Sequence, residues 1–105
     1  MSNTYQIFLI SDSTGETLDR IFLSLKAQFQ NIEYKVNSYS FTRTENQVLK
    51  ILDIAEREKN SIILYTIVDN NLAKFLTNKS DKKKIPCFGV LGSLILSFFK
   101  LFNQK

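Results

Sequence analysis

The sequence predicts an α/β domain with three layers, in which helices cover both faces of a four-stranded parallel sheet. Four short apolar runs alternate with four segments whose apolar residues recur at helical spacing, so the element order is βαβαβαβα. Right-handed crossovers between such strands give a parallel sheet with helices on both faces. The first and third runs are the most apolar and belong at the centre, which predicts the strand order 2-1-3-4. We expect residues 1–105 to form one domain.

The first unit joins a buried strand to an amphipathic helix. The run Tyr5–Ile10 is short, mostly apolar and followed by polar turn residues, which indicates a buried strand. After the turn, Ser13 and Glu16 have the spacing of a capping box, in which two side chains bond each other's backbone amides. The helix then carries one apolar stripe at helical spacing: Leu18, Ile21, Phe22, Leu25 and Phe29.

The second unit repeats this design with a more exposed strand. Residues Glu33–Phe41 alternate between polar and apolar, which is typical of a strand that is buried on one side. Thr44 and Gln47 again have capping-box spacing. The predicted helix has one apolar face: Val48, Ile51, Leu52 and Ala55.

The third and fourth strands complete the predicted sheet. The run Ser61–Val68 is β-branched and nearly continuous, as a central parallel strand is. Asp69 is then predicted to cap a third helix, and Ile85–Leu91 is predicted as the fourth strand. Pro86 is tolerated near the start of this strand, because a residue there need not donate a hydrogen bond to the neighbouring strand. The third helix carries this apolar stripe: Leu72, Phe75 and Leu76.

The last helix, which begins at Gly92 or Ser93, is apolar on almost every side. In residues 94–102 ("LILSFFKLF") one stripe can face the sheet, namely Leu94, Phe98 and Leu101, and this leaves a second stripe facing outward, namely Ile95, Phe99 and Phe102. A helix that is hydrophobic all round normally has partners all round. We therefore expect residues 94–102 to be covered by a second copy of the chain or by a missing C-terminal domain.

Composition excludes several classes of chemistry. The chain has no histidine and one cysteine, Cys87, so it cannot form a Ser-His or Cys-His pair, a histidine-ligated zinc site or a disulfide framework. We predict no metal site. No signal peptide or membrane span is visible, so the predicted location is cytoplasmic and no membrane contact is expected. The net charge is +4, and we interpret the basic run 79–84 as a solvated loop, with no nucleic-acid partner.

The loop after the first strand, residues 11–17 ("SDSTGET"), is the main candidate site. Ligands bind open α/β sheets beyond the carboxyl ends of the strands, where neighbouring connections diverge, and the predicted order places this loop there. Hydroxyls, a glycine and the free amides of a helix start could together hold a phosphate. A plain capping box is the alternative, since the acidic side chains of the loop repel phosphate. The candidate residues are Asp12, Ser13, Thr14, Gly15 and Thr17.

Three later residues are predicted at the same edge. Arg43 follows the second strand and could grip a phosphate, or it could form a surface ion pair. Thr66 closes the third strand. Asp69 could act as an acid, although a helix cap is the simpler interpretation, and Asp12 could likewise be a strand-end aspartate held by local amides.

Two families share the loop pattern. Residues 12–17 are similar to the flavodoxin phosphate loop, Thr-x-Thr-Gly-x-Thr, except for Asp12 in place of the first hydroxyl. This resemblance implies a module that binds phosphate or flavin mononucleotide (FMN), as an alternative function. A wider resemblance includes "SDSTGETL" (11–18), "FTRTENQV" (41–48), "ILYTIVDNNLAKFL" (63–76) and "IPCFGVLGSLI" (85–95). These blocks resemble, in order and spacing, the N-terminal half of the pyruvate, phosphate dikinase and phosphoenolpyruvate synthase regulatory proteins.

The wider resemblance implies a bifunctional enzyme. Such an enzyme phosphorylates a threonine of its dikinase or synthase partner with ADP, and removes that phosphate with inorganic phosphate, forming pyrophosphate. In the family, both co-substrates are bound mainly by a C-terminal half whose Gly-rich segment ends in Gly-Lys-Thr or Gly-Lys-Ser. The chain has no Gly-Lys pair, so we expect the C-terminal nucleotide-binding domain to be absent and the chain to be inactive alone. A non-catalytic remnant that only binds the dikinase is a further alternative.

Overall fold

The computed structural model of the chain describes residues 4–102, without the side chains at positions 95 and 96. Strands and helices alternate as the sequence predicts. Their bounds are β1 Thr4–Ser11, α1 Glu16–Gln28, β2 Glu33–Tyr39, α2 Glu45–Arg57, β3 Ser61–Thr66, α3 Asn70–Lys82, β4 Cys87–Gly89 and α4 Gly92–Phe102.

All four strands are parallel and lie in the order β2-β1-β3-β4, which confirms the predicted topology. Ile7 of the central strand β1 pairs with Val36 of β2 and with Ile62 of β3. The short edge strand β4 joins β3, with Phe88 opposite Leu64. Because all strands point the same way, the loops that follow β1, β2 and β3 meet at one edge of the sheet.

Helices cover both faces of the sheet, as predicted. On one face, Leu18 and Phe22 of α1 pack against Ile7, Leu9 and Leu64. On the other face, α2 and α3 pack against β1 and β3 and form the larger core. Its buried members are Phe8, Ile10, Val48, Ile51, Leu52, Ala55, Ile63, Ile67, Leu72, Leu76 and Ile85.

The apolar stripe predicted for α1 is only partly buried. Leu18 and Phe22 are buried, but Leu25 is 43% exposed and Phe29 is 54% exposed. The reason is that α1 packs alone on its face of the sheet, so the second half of its stripe has no neighbouring helix. The corresponding stripe of α2 is buried in full because α3 packs beside it.

Strand ends differ from the sequence prediction where the backbone turns. Strand β2 ends at Tyr39 rather than Phe41, because Phe41 has a φ of 53° and cannot continue an extended strand. Strand β3 ends at Thr66, where the chain turns toward α3. Strand β4 has only three residues, because the carbonyl of Pro86 bonds the amide of Ile63 but proline has no amide to return.

Helix α4 is exposed along its described length. Every residue of α4 whose side chain is described is exposed, and the large apolar side chains range from Phe98 at 48% to Phe102 at 76%. The predicted exposure of Phe99 and Phe102 is confirmed, and the alternative stripe that could have faced the sheet, namely Leu94, Phe98 and Leu101, is exposed as well. Ile95 lies outside the described side chains. In residues 4–102 no helix is both long and apolar enough to cross a membrane.

Candidate functional site

Three loops are tied together at the carboxyl edge of the sheet. The amide of Thr42, after β2, donates to the carbonyl of Ser11 at 2.8 Å, and the amide of Phe41 donates to the carbonyl of Ser13 at 2.9 Å. The amide of Asp12 donates to the carbonyl of Thr66 at 3.1 Å. The loop after β1 is therefore held from both sides, by the loop after β2 and by the end of β3.

Helix α1 begins differently from the sequence prediction. Its N-cap is Gly15, which has a φ of 88°, and no side chain caps the helix. The predicted capping box of Ser13 and Glu16 is wrong, because this turn places Ser13 two residues before the N-cap. Ser13 instead bonds back to Ser11, through its amide at 3.1 Å and its hydroxyl at 3.2 Å. The predicted box of Thr44 and Gln47 is confirmed at the start of α2.

The exposed part of the loop leaves its hydroxyls at the surface. Thr14 and Thr17 are exposed, and the hydroxyl of Thr14 lies 3.5 Å from the amide of Glu16, at the long limit for a hydrogen bond. The hydroxyl of Ser40 donates to the carbonyl of Thr14 at 2.7 Å and anchors the turn. The first amides of α1 thus lack a close side-chain acceptor, at the helix end that attracts anions.

Ser11 is a polar residue that the sequence did not single out. It is buried at the end of β1, opposite Thr66 in the register. Its hydroxyl oxygen accepts from the amide of Ser13 at 3.1 Å and from the hydroxyl of Thr66 at 3.2 Å. The hydroxyl oxygens of Ser11 and Ser13 also lie 3.2 Å apart, and either of the two hydroxyls could donate.

Asp12 is held by local backbone groups, as one interpretation of the sequence predicts. Its carboxylate Oδ2 accepts from the amide of Val68 at 2.8 Å. Its carbonyl oxygen accepts from Nε of Arg43 at 3.0 Å. Asp12 therefore links the loops after β1, β2 and β3.

Arg43 lies against the same loop without an ion pair. Its guanidinium carbon is 5.2 Å from the centre of the Phe41 ring, and its amide donates to Gln47 Oε1 at 2.7 Å. Within residues 4–102 the one ion pair joins Lys83 to Glu56, so the surface ion pair considered for Arg43 is not formed. Because Nε is the guanidinium group bonded to Asp12, the terminal amino groups remain for an incoming acceptor.

An open depression of about 450 Å³ brings together three of the predicted site residues, Asp12, Arg43 and Asp69, above Ile67 and Leu72. The carboxylate of Asp69 caps α3, since its Oδ1 accepts from the amides of Asn71 at 2.9 Å and Leu72 at 3.2 Å. This confirms the helix-cap interpretation of Asp69. Among the described residues, no group of three or more Asp, Glu, Cys or His side chains could hold a metal ion.

The remaining titratable groups near this edge are not activated nucleophiles. Burial raises the pKa of the Cys87 thiol from 9.0 to about 11, so little thiolate is present at neutral pH. Burial, and to a lesser extent the nearby Cys87, raises the pKa of Tyr65. The predicted site residues at this edge offer hydroxyls, backbone amides, the Arg43 guanidinium and the carboxylates of Asp12 and Asp69.

Comparisons with known proteins extend over nearly the whole chain. A family model described as kinase/pyrophosphorylase matches residues 7–105. A pyruvate, phosphate dikinase regulatory protein of Pelagibacter ubique (strain HTCC1062) is 73% identical over 105 residues, which is 100% of this chain and 38% of that protein. Proteins of the same name from Ehrlichia chaffeensis and Agrobacterium fabrum are 35% identical over 94 residues and 37% identical over 91 residues.

These two alignments cover 90% and 87% of this chain but only 34% and 33% of the relatives. The chain thus spans about a third of the length of the curated relatives it matches. The candidate loop, α4 and all strands except the first three residues of β1 lie inside the matched range of the family model. Because that range includes nearly all of the sequence, the chain belongs to the kinase/pyrophosphorylase family.

Proposed function

We propose that the chain is the part of a pyruvate, phosphate dikinase regulatory enzyme that meets the phosphorylated segment of its dikinase partner. The complete enzyme would transfer a phosphoryl group from ADP to a threonine hydroxyl, leaving AMP, and in a second, separate reaction would transfer it from phosphothreonine to inorganic phosphate, forming pyrophosphate and the free threonine hydroxyl. The observation that carries this proposal is the 73% identity, over the full 105 residues, to a protein with that name. The setting would be the cytoplasm.

The carboxyl edge of the sheet supports a role in phosphate recognition. Arg43 presents terminal amino groups beside Asp12, and a guanidinium binds phosphate through paired hydrogen bonds. Ser13 is exposed and carries a hydroxyl, and the uncapped start of α1 adds amides and a partial positive charge. We propose that Ser13, Thr14, Thr17 and Arg43 contact the phosphate, while Gly15, Asp12 and Thr66 hold the loops in place.

ADP and inorganic phosphate would be held mainly by residues outside these 105. Phosphoryl transfer depends on a loop that grips the transferred group and on a metal ion, and the resemblance implies a Gly-Lys-Thr or Gly-Lys-Ser segment for this purpose. The three glycines of this chain, Gly15, Gly89 and Gly92, are followed by glutamate, valine and serine. The chain alone is therefore proposed to bind the dikinase and not to transfer phosphate.

Binding and transfer can be measured separately. Calorimetric titration of the chain with the phosphorylated and unphosphorylated dikinase should show tighter binding of the phosphorylated form. Arg43→Ala should weaken that binding about ten- to a hundredfold, since a charge-assisted pair contributes about 1.5–3 kcal/mol. Arg57→Ala, at the opposite end of α2, is the matched control and should bind normally.

The same samples test catalysis and the flavin alternative. With ADP labelled at the β-phosphate, the chain alone should leave the dikinase unlabelled. Label transfer by this polypeptide would contradict the assignment of the nucleotide site to other residues. Equal binding of both dikinase forms, or no binding, would contradict the proposed recognition of phosphate at the carboxyl edge of the sheet. A yellow protein that binds FMN would favour the flavodoxin-like alternative.

A further inference from the structure

Phe41 combines a strained backbone with an exposed aromatic ring at the carboxyl edge of the sheet. Its φ is 53° and its side chain is 50% exposed. A bulky side chain rarely adopts this left-handed conformation, because its Cβ crowds the backbone. Residues held in this way persist only where the surrounding structure fixes them, and they are concentrated at functional sites. The strain at Phe41 therefore requires a physical explanation.

Two other non-glycine residues of the described chain share this conformation, and both have an ordinary explanation. Asn60 has a φ of 60° and Lys84 has a φ of 59°. Each lies just after a helix, α2 or α3, where a left-handed residue commonly ends the helix. Asparagine is also a residue type that tolerates this conformation. Phe41 follows strand β2 rather than a helix, so helix termination does not explain its φ.

Hydrogen bonds on both sides hold the backbone of Phe41 in place. Its amide donates to the carbonyl of Ser13 at 2.9 Å, and its carbonyl accepts from Nε2 of Gln47 at 3.3 Å. The same Gln47 side chain accepts from the amide of Arg43 at 2.7 Å. Thr42 is buried, whereas Phe41 and Arg43 on either side of it are exposed. The turn therefore places both side chains at the surface together.

We propose that Phe41 is a positioning residue for phosphate recognition, whose ring holds the guanidinium of Arg43 in the orientation that receives the anion. The proposal rests on the proposed function, in which Arg43 contacts the phosphate. The guanidinium carbon lies 5.2 Å from the centre of the Phe41 ring, within the range of a cation–π contact. Nε of Arg43 donates to the carbonyl of Asp12 at 3.0 Å. Two contacts thus fix the guanidinium, and neither is a hydrogen bond from its terminal amino groups.

A guanidinium that is already fixed binds an anion more tightly than a mobile one. An arginine side chain has several rotatable bonds, and holding it in one geometry lowers its conformational entropy. Where Phe41 and Asp12 hold Arg43 in the free protein, that entropy is lost on folding and not on binding. An exposed cation–π contact is strong enough to change affinity about two- to fivefold. The φ of Phe41 is then explained, because this turn brings the ring to the guanidinium.

NMR titration of the chain with inorganic pyrophosphate tests this role. Phe41→Asn removes the ring but keeps a residue that tolerates the backbone conformation, so it should weaken binding about two- to fivefold. Phe41→Tyr keeps a ring and should bind as the wild type does. The matched control is Asn60→Gly, an uncharged change at another positive φ, before β3, which should also bind normally. Wild-type affinity in Phe41→Asn, or an equal loss in Phe41→Tyr, would overturn the proposal.

Stability distinguishes a positioning role from a structural one. Phe41→Gly removes both the ring and the strain, since glycine adopts positive φ readily. The midpoint of urea denaturation should therefore be unchanged or raised, while affinity for pyrophosphate falls about two- to fivefold. A midpoint that falls together with the affinity would show that the ring supports the fold rather than Arg43, which contradicts the proposal.

The free chain distinguishes failure of this inference from failure of the proposed function. In the wild type the ring of Phe41 should shift the NMR signals of the Arg43 side chain, and the bond to Asp12 should slow exchange of the Nε hydrogen with water. Phe41→Asn should remove the shift and speed the exchange. Unchanged Arg43 signals would refute the positioning role alone. If the signals change but the wild type binds no pyrophosphate, the proposed function is wrong, and the role of Phe41 in recognition is wrong with it.

Discussion

The starts of α1 and α2 carry the same capping-box spacing in the sequence and adopt different structures. At α2 the hydroxyl of Thr44 accepts from the amide of Gln47 at 3.2 Å, and Gln47 Oε1 accepts from the amide of Thr44 at 3.0 Å. At α1 the chain turns at Gly15, and Ser13 bonds Ser11 instead. The comparison teaches that a glycine inside the pattern moves the N-cap and releases the hydroxyls and amides that a capping box would occupy.

The largest expected effect comes from the glycine itself. Gly15→Val should lower the free energy of unfolding by about 1–2 kcal/mol, because a residue with a Cβ is strained at a φ of 88°. Steric space is not the cause, since a Cβ at Gly15 would meet Ser40 and Ser11 only at 3.6 and 3.7 Å. Urea denaturation measures the change. Gly92→Ala is the control, since its Cβ would meet nothing within 4 Å, and an equal loss there would contradict the role of the turn.

Removing the hydroxyl of Ser13 or of Thr44 should have different effects on stability, because only Thr44 caps a helix. Thr44→Ala should lower the free energy of unfolding by about 1 kcal/mol, the usual cost of losing an N-cap side chain. Ser13→Ala should lower it by less than about 0.5 kcal/mol, because Ser13 is exposed and caps no helix. Thermal unfolding of both variants gives the comparison. Equal losses would mean that Ser13 caps α1 in solution.

A small stability effect is expected at Glu16, together with a gain in anion binding. Glu16 lies in the first turn of α1 and takes no part in a capping box. Glu16→Gln removes only its interaction with the helix dipole, about 0.3–1 kcal/mol, and also removes a charge that repels phosphate. Affinity for pyrophosphate, measured by calorimetry, should rise about threefold. Unchanged or weaker affinity would place the anion elsewhere.

Regular features of the fold could be predicted from the sequence because they depend on local spacing. The strand order follows from the apolar character of β1 and β3, and the buried stripe of α2 follows from its periodicity. The burial of α1 and α4 could not be predicted, since it depends on which neighbours cover a face. Leu25 is exposed because α1 packs alone, and Phe98 of α4 is 48% exposed.

In the candidate site, too, some features could be predicted from the sequence and others could not. Spacing and topology correctly placed Asp12, Arg43 and Asp69 at one edge, where they line one depression. The bonds that each residue makes could not be predicted, because they depend on loop conformation. Ser11 was missed for this reason, although a hydroxyl that ends β1 opposite Thr66 is a signal that register alone provides.

The central claim is that the uncapped start of α1 binds phosphate, and an NMR titration of the chain with pyrophosphate tests it directly. The amide signals of residues 14–17 should shift more than those at the starts of α2 and α3, whose amides are bonded to Thr44 and Asp69. Gly15→Val should abolish the difference. Equal shifts at the three helix starts would show only generic attraction to helix dipoles and would contradict the claim.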